Sequence, residues 1–169
     1  GPIGLFCQQA LQVLRGARTI VADLSEERLA VARRLGAVRT VNPRNEDLAT
    51  VVKETTGGEG VDLAVDAVGS AATKRGALEV VRPGGAAVWI GLHENALTFD
   101  SFGVTLPEKQ VFGTYAAKLD DLRLALEWMS TGRVDARTWT TRFALAAGLV
   151  AFERALAAQG TDIKCIICP

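Results

Sequence analysis

Residues 1–29 run GPIGLFCQQALQVLRGARTIVADLSEERL, two helical patterns enclosing one short apolar run. Gly1 to Arg15 reads as a helix, with Pro2 in its first turn and Gly16 just past its end. Ile3, Leu5, Phe6, Ala10, Leu11, Val13 and Leu14 place apolar side chains on most of its sides, the pattern of a helix buried inside a domain. Thr19 to Ala22 is a short strand that stops at Asp23. Ser25 then caps a second helix, which carries Glu26 and Glu27 in its first turn and is closed by Gly36. Helix, strand and helix in so short a span predict an α/β architecture.

The same alternation continues to the end of the chain. A strand is expected about Thr40-Val41 and a helix about Glu46 to Thr55. The turn Gly57-Gly58-Glu59-Gly60 leads into the strand Val61 to Asp66, which runs out at Val68-Gly69. A helix to Val81, the turn Arg82-Pro83-Gly84-Gly85 and the strand Ala86 to Ile90 follow. Lys109 to Tyr115 reads as another strand, Leu119 to Ser130 as a helix, Val150 to Ala158 as the last helix, and Ile163 to Cys168 as a terminal strand. With no internal repeat and no low-complexity linker, residues 1–169 are expected to form one domain, a doubly wound parallel sheet of Rossmann type with helices on both faces.

Composition removes several classes of function. Nineteen basic residues balance nineteen acidic ones, so no basic field exists to attract nucleic acid or an anionic membrane. No apolar run approaches the roughly 20 residues of a membrane span, and the opening residues lack the basic region of a signal peptide. Cys7, Cys165 and Cys168 are too few and odd in number for a disulfide scaffold, which favours a reducing cytoplasm.

Three separated places carry the functional signal. Gly1-Pro2-Ile3-Gly4 opens a helix, Asp23 ends the next strand, and Val68-Gly69 and Gly91 end two later ones. In a doubly wound sheet these points fall at the carboxyl edge, where ligands bind. A helix start with glycine lets a pyrophosphate approach free backbone N–H groups. A carboxylate about 20 residues further on accepts the ribose hydroxyls of an adenosine and repels a 2′-phosphate, favouring NAD over NADP. Taken singly, Gly1 and Gly4 also fit as helix-start glycines and Asp23 as a capping residue; the joint spacing is what favours a nucleotide.

Several stretches together resemble the medium-chain zinc-dependent dehydrogenases, in particular the sorbitol and threonine dehydrogenases. They are Gly1 to Leu5, Val21 to Leu29, Leu35-Gly36-Ala37, Asp62 to Gly69, Arg82 to Gly85, Gly113 to Tyr115, Arg142-Phe143, Ala151 to Ala155 and Ile163 to Pro169. The resemblance implies a cofactor-binding domain of an enzyme that oxidises an alcohol or polyol by hydride transfer to NAD. It places Pro2 and Ile3 under the pyrophosphate and nicotinamide, Asp23 on the adenosine ribose and Arg28 against the adenine. Val68 and Gly69 would border the adenine pocket; Ile90, Gly91 and Leu92 would serve the nicotinamide carboxamide, with Tyr115 and Ala116 on its outer side. Arg28 also fits as a solvated helix residue, and Tyr115 as a core or interface aromatic. In that family the edge corresponding to Lys109 to Tyr115 joins two subunits, so a homo-oligomer is implied.

The sequence departs from the family in two respects. The family's G-x-G-x-x-G follows a strand, whereas this chain opens at the second glycine, so the first strand and first glycine are expected to be missing. Removal of an expression tag also leaves a Gly-Pro pair at the start of a chain. The family's zinc ligands and proton relay lie in a preceding domain, and nothing here replaces them. Cys165 and Cys168 lack a second pair and, on a strand, point to opposite faces; Cys7 reads as a small core residue and His93 as a loop histidine. No catalytic and no metal-binding residue is therefore assigned, and the chain alone is expected to be inactive. Two rivals stand beside this reading: an S-adenosylmethionine-binding methyltransferase-like domain, which also uses a glycine turn, a strand-ending acid and a turn like Arg82 to Gly85, and a non-catalytic structural remnant.

Overall fold

Helix α1 (Pro2–Arg15) ends at Gly16, whose left-handed φ of 60° lets its N–H return to the Gln12 carbonyl at 2.9 Å. The computed structural model describes residues 1–157 and 162–169, which divide into two compact units. The first comprises Gly1–Thr40 and Lys118–Pro169. There α1 is followed by β1 (Ile20–Ala22), α2 (Glu26–Arg34) and β2 (Arg39–Val41), which pairs with β1 and whose last residue, Val41, is counted with the second unit. Ser25 caps α2 by accepting the Arg28 N–H at its side chain. Leu5 of α1 meets Val31 and Ala32 of α2 in a core completed by Trp139 and Ile163, with Phe6 edge-on to Trp139 at 5.0 Å. Gln9 fastens α1 to the later chain, its amide exchanging two hydrogen bonds with the backbone of Asp135.

The rest of this unit holds α6 (Leu119–Ser130), β6 (Thr140–Ala144), a 3₁₀ turn, α7 (Gly148–Ala157) and β7 (Lys164–Cys168). The helix expected from Val150 to Ala158 begins two residues earlier, and Ala158 lies outside the described residues. Strand β6 has no forerunner in the sequence reading. Thr-Thr-Arg-Phe-Ala lacks a clear alternation, and the strand exists because it pairs in parallel with β7, Thr140 opposite Lys164 through Ala144 opposite Cys168.

The second unit, Val41–Ala117, contains α3 (Leu48–Thr55), β3 (Val61–Asp66), α4 (Ala71–Val80), β4 (Val81–Trp89), α5 (Phe102–Thr105) and β5 (Gln110–Gly113). Its sheet order is β3-β4-β5 and both pairings are parallel. Ala77 and Leu78 of α4 pack on Ala64, Val81 and Ala87. Two expectations need correcting here, and one element had no counterpart in the sequence analysis. Arg82 to Gly85 is not a turn ahead of the strand but a bulge within β4, since Val61 faces Val81 while Leu63 faces Ala86. The expected strand Lys109 to Tyr115 is shorter, Gln110 to Gly113, and just past its end the Thr114 N–H still donates to the Trp89 carbonyl at 3.1 Å. The helix α5, only one turn long, gave no periodic signal.

Among the described residues the strands form three hydrogen-bonded sets, β1-β2, β3-β4-β5 and β6-β7. A doubly wound sheet of order 3-2-1-4-5-6 that lacks its first strand consists of one pair and one triplet. The pair β1-β2 and the triplet β3-β4-β5 have that composition.

Candidate functional site

In the first unit the site is built at the start of α1. The Gly1 nitrogen donates to Asp23 Oδ2 at 2.8 Å. The other carboxylate oxygen accepts the Ser25 N–H at 3.0 Å and lies 3.9 Å from the Arg28 guanidinium. Asp23 follows β1, and its side chain is 16% exposed. Burial acts to raise its pKa, but the hydrogen bond and charge of the Gly1 nitrogen, the Ser25 N–H and Arg28 outweigh that. The carboxyl is held below the ordinary carboxylate range. Pro2 has no N–H, while Ile3 and Gly4 occupy the first turn, where an α-helix provides no carbonyl partner for its amides. A side chain at Gly1 would meet nothing closer than Arg28 Nη1 at 3.8 Å, so local space does not require glycine there.

In the second unit Val68-Gly69 and Ile90-Gly91-Leu92 follow the carboxyl ends of the parallel strands β3 and β4, and here glycine is required. A Cβ on Gly69 would lie 2.1 Å from the Gly91 carbonyl carbon, and one on Gly91 would lie 2.1 Å from that of Val68. Two backbones touch with no room for a side chain, and Gly69 has a φ of +88°. The sequence reading missed what holds them. Asp66, at the last position of β3 and 4% exposed, accepts the Val68 and Gly69 N–H groups at its carboxylate. Its carbonyl accepts the N–H groups of Ile90 and Gly91 at 2.9 and 3.1 Å. An acid ending a strand three residues before a glycine was the signal available.

A further tie comes from Glu94, whose N–H donates to the Gly69 carbonyl at 2.9 Å and whose carboxylate accepts the Ala71 N–H at the start of α4. Val68 and Leu92 project outward, and Tyr115 is 82% exposed just past β5, so it is no core aromatic. Beside these residues an open recess of about 340 Å³ is lined by Lys74, Trp89, Gly91, Leu92, Gly113, Thr114 and Tyr115.

The cysteines and histidine are dispersed. Burial pushes the Cys7 thiol up, against a smaller opposing effect of a backbone hydrogen bond, which makes it unreactive. Cys165 and Cys168 are free on β7, and His93 sits in the exposed loop after Gly91. Among the described residues no group of three or more His, Cys, Asp or Glu is placed to hold a metal, and no helix is long and apolar enough to cross a membrane.

Parallel βα units with glycine-lined strand ends and an acid after β1 define a doubly wound nucleotide-binding domain. Residues 2–131 match the zinc-binding dehydrogenase family, and the chain belongs to that family. It is 36% identical over 139 residues to an alcohol dehydrogenase of Cupriavidus necator, covering 80% of this chain and 38% of that protein. It is 28% identical over 176 residues to D-xylulose reductase A of Aspergillus oryzae, covering 99% of this chain and 48% of the reductase. A structure from Sinorhizobium meliloti 1021 described as bound to NADP shares the fold with a TM-score of 0.89 at 21% identity, covering 100% of this chain and 50% of that one. The chain thus spans half or less of the length of the relatives it matches.

Proposed function

We propose that this chain is the NAD(H)-binding portion of a zinc-type dehydrogenase that oxidises an alcohol or polyol. The observation that carries the proposal is Asp23, a largely buried carboxylate at the end of β1 whose oxygens face the opening of α1 and accept the Ser25 N–H. Its two oxygens have lone pairs beyond those used by Gly1 and Ser25, so the acceptor set fits two ribose hydroxyls. In the first unit, Gly1, Pro2, Ile3 and Gly4 would receive the pyrophosphate, Asp23 the adenosine ribose, and Arg28 the face of the adenine. In the second, Val68 and Gly69 would border the adenine, and Ile90, Gly91 and Leu92 would hold the carboxamide, with Tyr115 at its outer side.

When bound, NAD supplies the hydride acceptor; the chain's own part is binding, orientation and exclusion of water. Its negative charge at Asp23 disfavours a 2′-phosphate, which is why NAD rather than NADP is proposed. The zinc ligands and proton relay are assigned to a segment outside these 169 residues, and self-association to the edge strand β5. The three free cysteines support a cytoplasmic location. Replacing Asp23→Ser tests the reading, with NAD and NADP affinities measured side by side. NAD binding is expected to weaken by about 1.5–3 kcal/mol, the scale of hydrogen bonds to a charged group, while NADP gains relative to NAD. Unchanged affinities for both would reduce Asp23 to a cap. Protection from thermal unfolding by S-adenosylmethionine, with none from NADH, would favour a methyl-transfer domain instead.

A further inference from the structure

Lys74 stands in the first turn of α4, where a cation is disfavoured because a helix N-terminus carries partial positive charge. It is also 8% exposed, and a buried ammonium is costly unless a partner compensates it. The compensation comes from the segment after β4: Nζ donates to the Glu94 carbonyl at 2.6 Å, and the Trp89 ring lies 6.0 Å away. Glu94 is held twice more. Its N–H donates to the Gly69 carbonyl at 2.9 Å, and its carboxylate accepts the Ala71 N–H at 2.7 Å. That carboxylate supplies the negative charge that the first turn of α4, free of acidic residues, lacks. Gly69, Ala71 and Lys74 thus grip one residue at three points.

Residues 92–100 are neither helix nor strand, so their path is set by such anchors. The Asp66 carbonyl fixes Ile90 and Gly91, and Glu94 is fixed three residues later, which suspends Leu92 and His93 between the two. Leu92 is 77% exposed and gains no position from packing. We propose that Lys74 is a positioning residue: its hold on the Glu94 carbonyl sets where the backbone of Leu92 lies beside Gly91, and with it the fit of the carboxamide. The last step rests on the dinucleotide reading, whereas the hold on Glu94 does not.

Lys74→Met removes the donor and keeps an unbranched side chain. Because it also removes a buried charge, the urea midpoint of the 169-residue chain should hold or rise. Amide hydrogen exchange without cofactor should nevertheless quicken at least about tenfold at Ala71 and Glu94, the scale of a lost hydrogen bond to a charged group. Ala87 and Val88, inside β4, should stay as protected as before. NADH affinity should fall at least about tenfold, and Lys74→Arg should keep part of both the protection and the affinity. A lysine that serves stability alone would instead lower the midpoint and quicken all these amides together, and that result overturns the proposal. Unchanged exchange at Glu94 overturns it as well, and quickened exchange with unchanged NADH affinity removes the positioning role. An unaltered chain that does not bind NADH counts against the dinucleotide reading instead, and exchange at Glu94 then decides alone whether Lys74 holds the segment. Should Lys74→Met fail to fold, Glu94→Ala takes its place. With the carboxylate gone and the carbonyl still held by Lys74, the amide at position 94 should stay protected, and its release would overturn the proposal.

Discussion

Gly69 and Gly91 show how one missing atom becomes a structural requirement. Their backbones occupy the space of each other's Cβ, so Gly91→Ala must push the ends of β3 and β4 apart. Overpacking of this kind costs about 3 kcal/mol, expected as a lowered urea midpoint with an unchanged slope. Gly76, in mid-α4 with nothing within 4 Å of its built Cβ, is the contrast. There alanine should stabilise by about 0.5–1 kcal/mol, because glycine loses more entropy in a helix. If Gly91→Ala is as mild as Gly76→Ala, the close approach is not real. Asp23 gives a residue-scale prediction in pH. Its folded pKa lies below the unfolded value of about 3.9, so its contribution is present above that pH and is lost as pH falls through the folded value. Asp23→Asn should lower stability at pH 7, with the gap to the parent closing in acid. A gap independent of pH would remove the ionised carboxylate from the account.

At the scale of elements, the strand ends are held by neighbouring helices rather than by the strands alone. Ser70 and Thr73 form a reciprocal cap at the start of α4, which fixes the turn carrying Gly69. Lys109, just before β5, donates to the Leu78 carbonyl at 2.6 Å and so satisfies the last turn of α4. Strand β5 lies at the outer end of the β3-β4-β5 order, with Phe112 49% exposed and Val111 also exposed. A bare apolar edge invites pairing with a second copy. Sedimentation at high micromolar concentration should show a dimer that Phe112→Lys weakens. A chain that is monomeric under those conditions would exclude this edge as the interface.

For the whole molecule the prediction is functional. With NAD and zinc supplied, the 169-residue chain alone should not produce NADH from any alcohol. A catalytic zinc of this type uses three protein ligands and an open position. Cys7 is partly buried in α1, Cys165 and Cys168 lie on opposite faces of β7, and His93 is in a loop. Alcohol-dependent NADH production abolished by a chelator would overturn the assignment of the zinc to another segment.

Sequence alone determined the elements with local causes. Ser25 with Glu26 and Glu27, Gly16 after Arg15, and the apolar run ending at Asp66 are signals carried by the residues themselves, and α1, α2, α6 and β3 follow them closely. Sequence also marked Asp23, Gly69 and Gly91, because glycine and a strand-ending acid are read by position. Tertiary structure decided the rest. The Arg82 to Gly85 bulge, β6 and the early end of β5 depend on which strand lies alongside, a long-range pairing that no local pattern encodes. The carboxylate of Asp66 acquires its meaning through burial beside the Val68 and Gly69 N–H groups. Burial of that kind is a property of packing, and only the folded chain sets it.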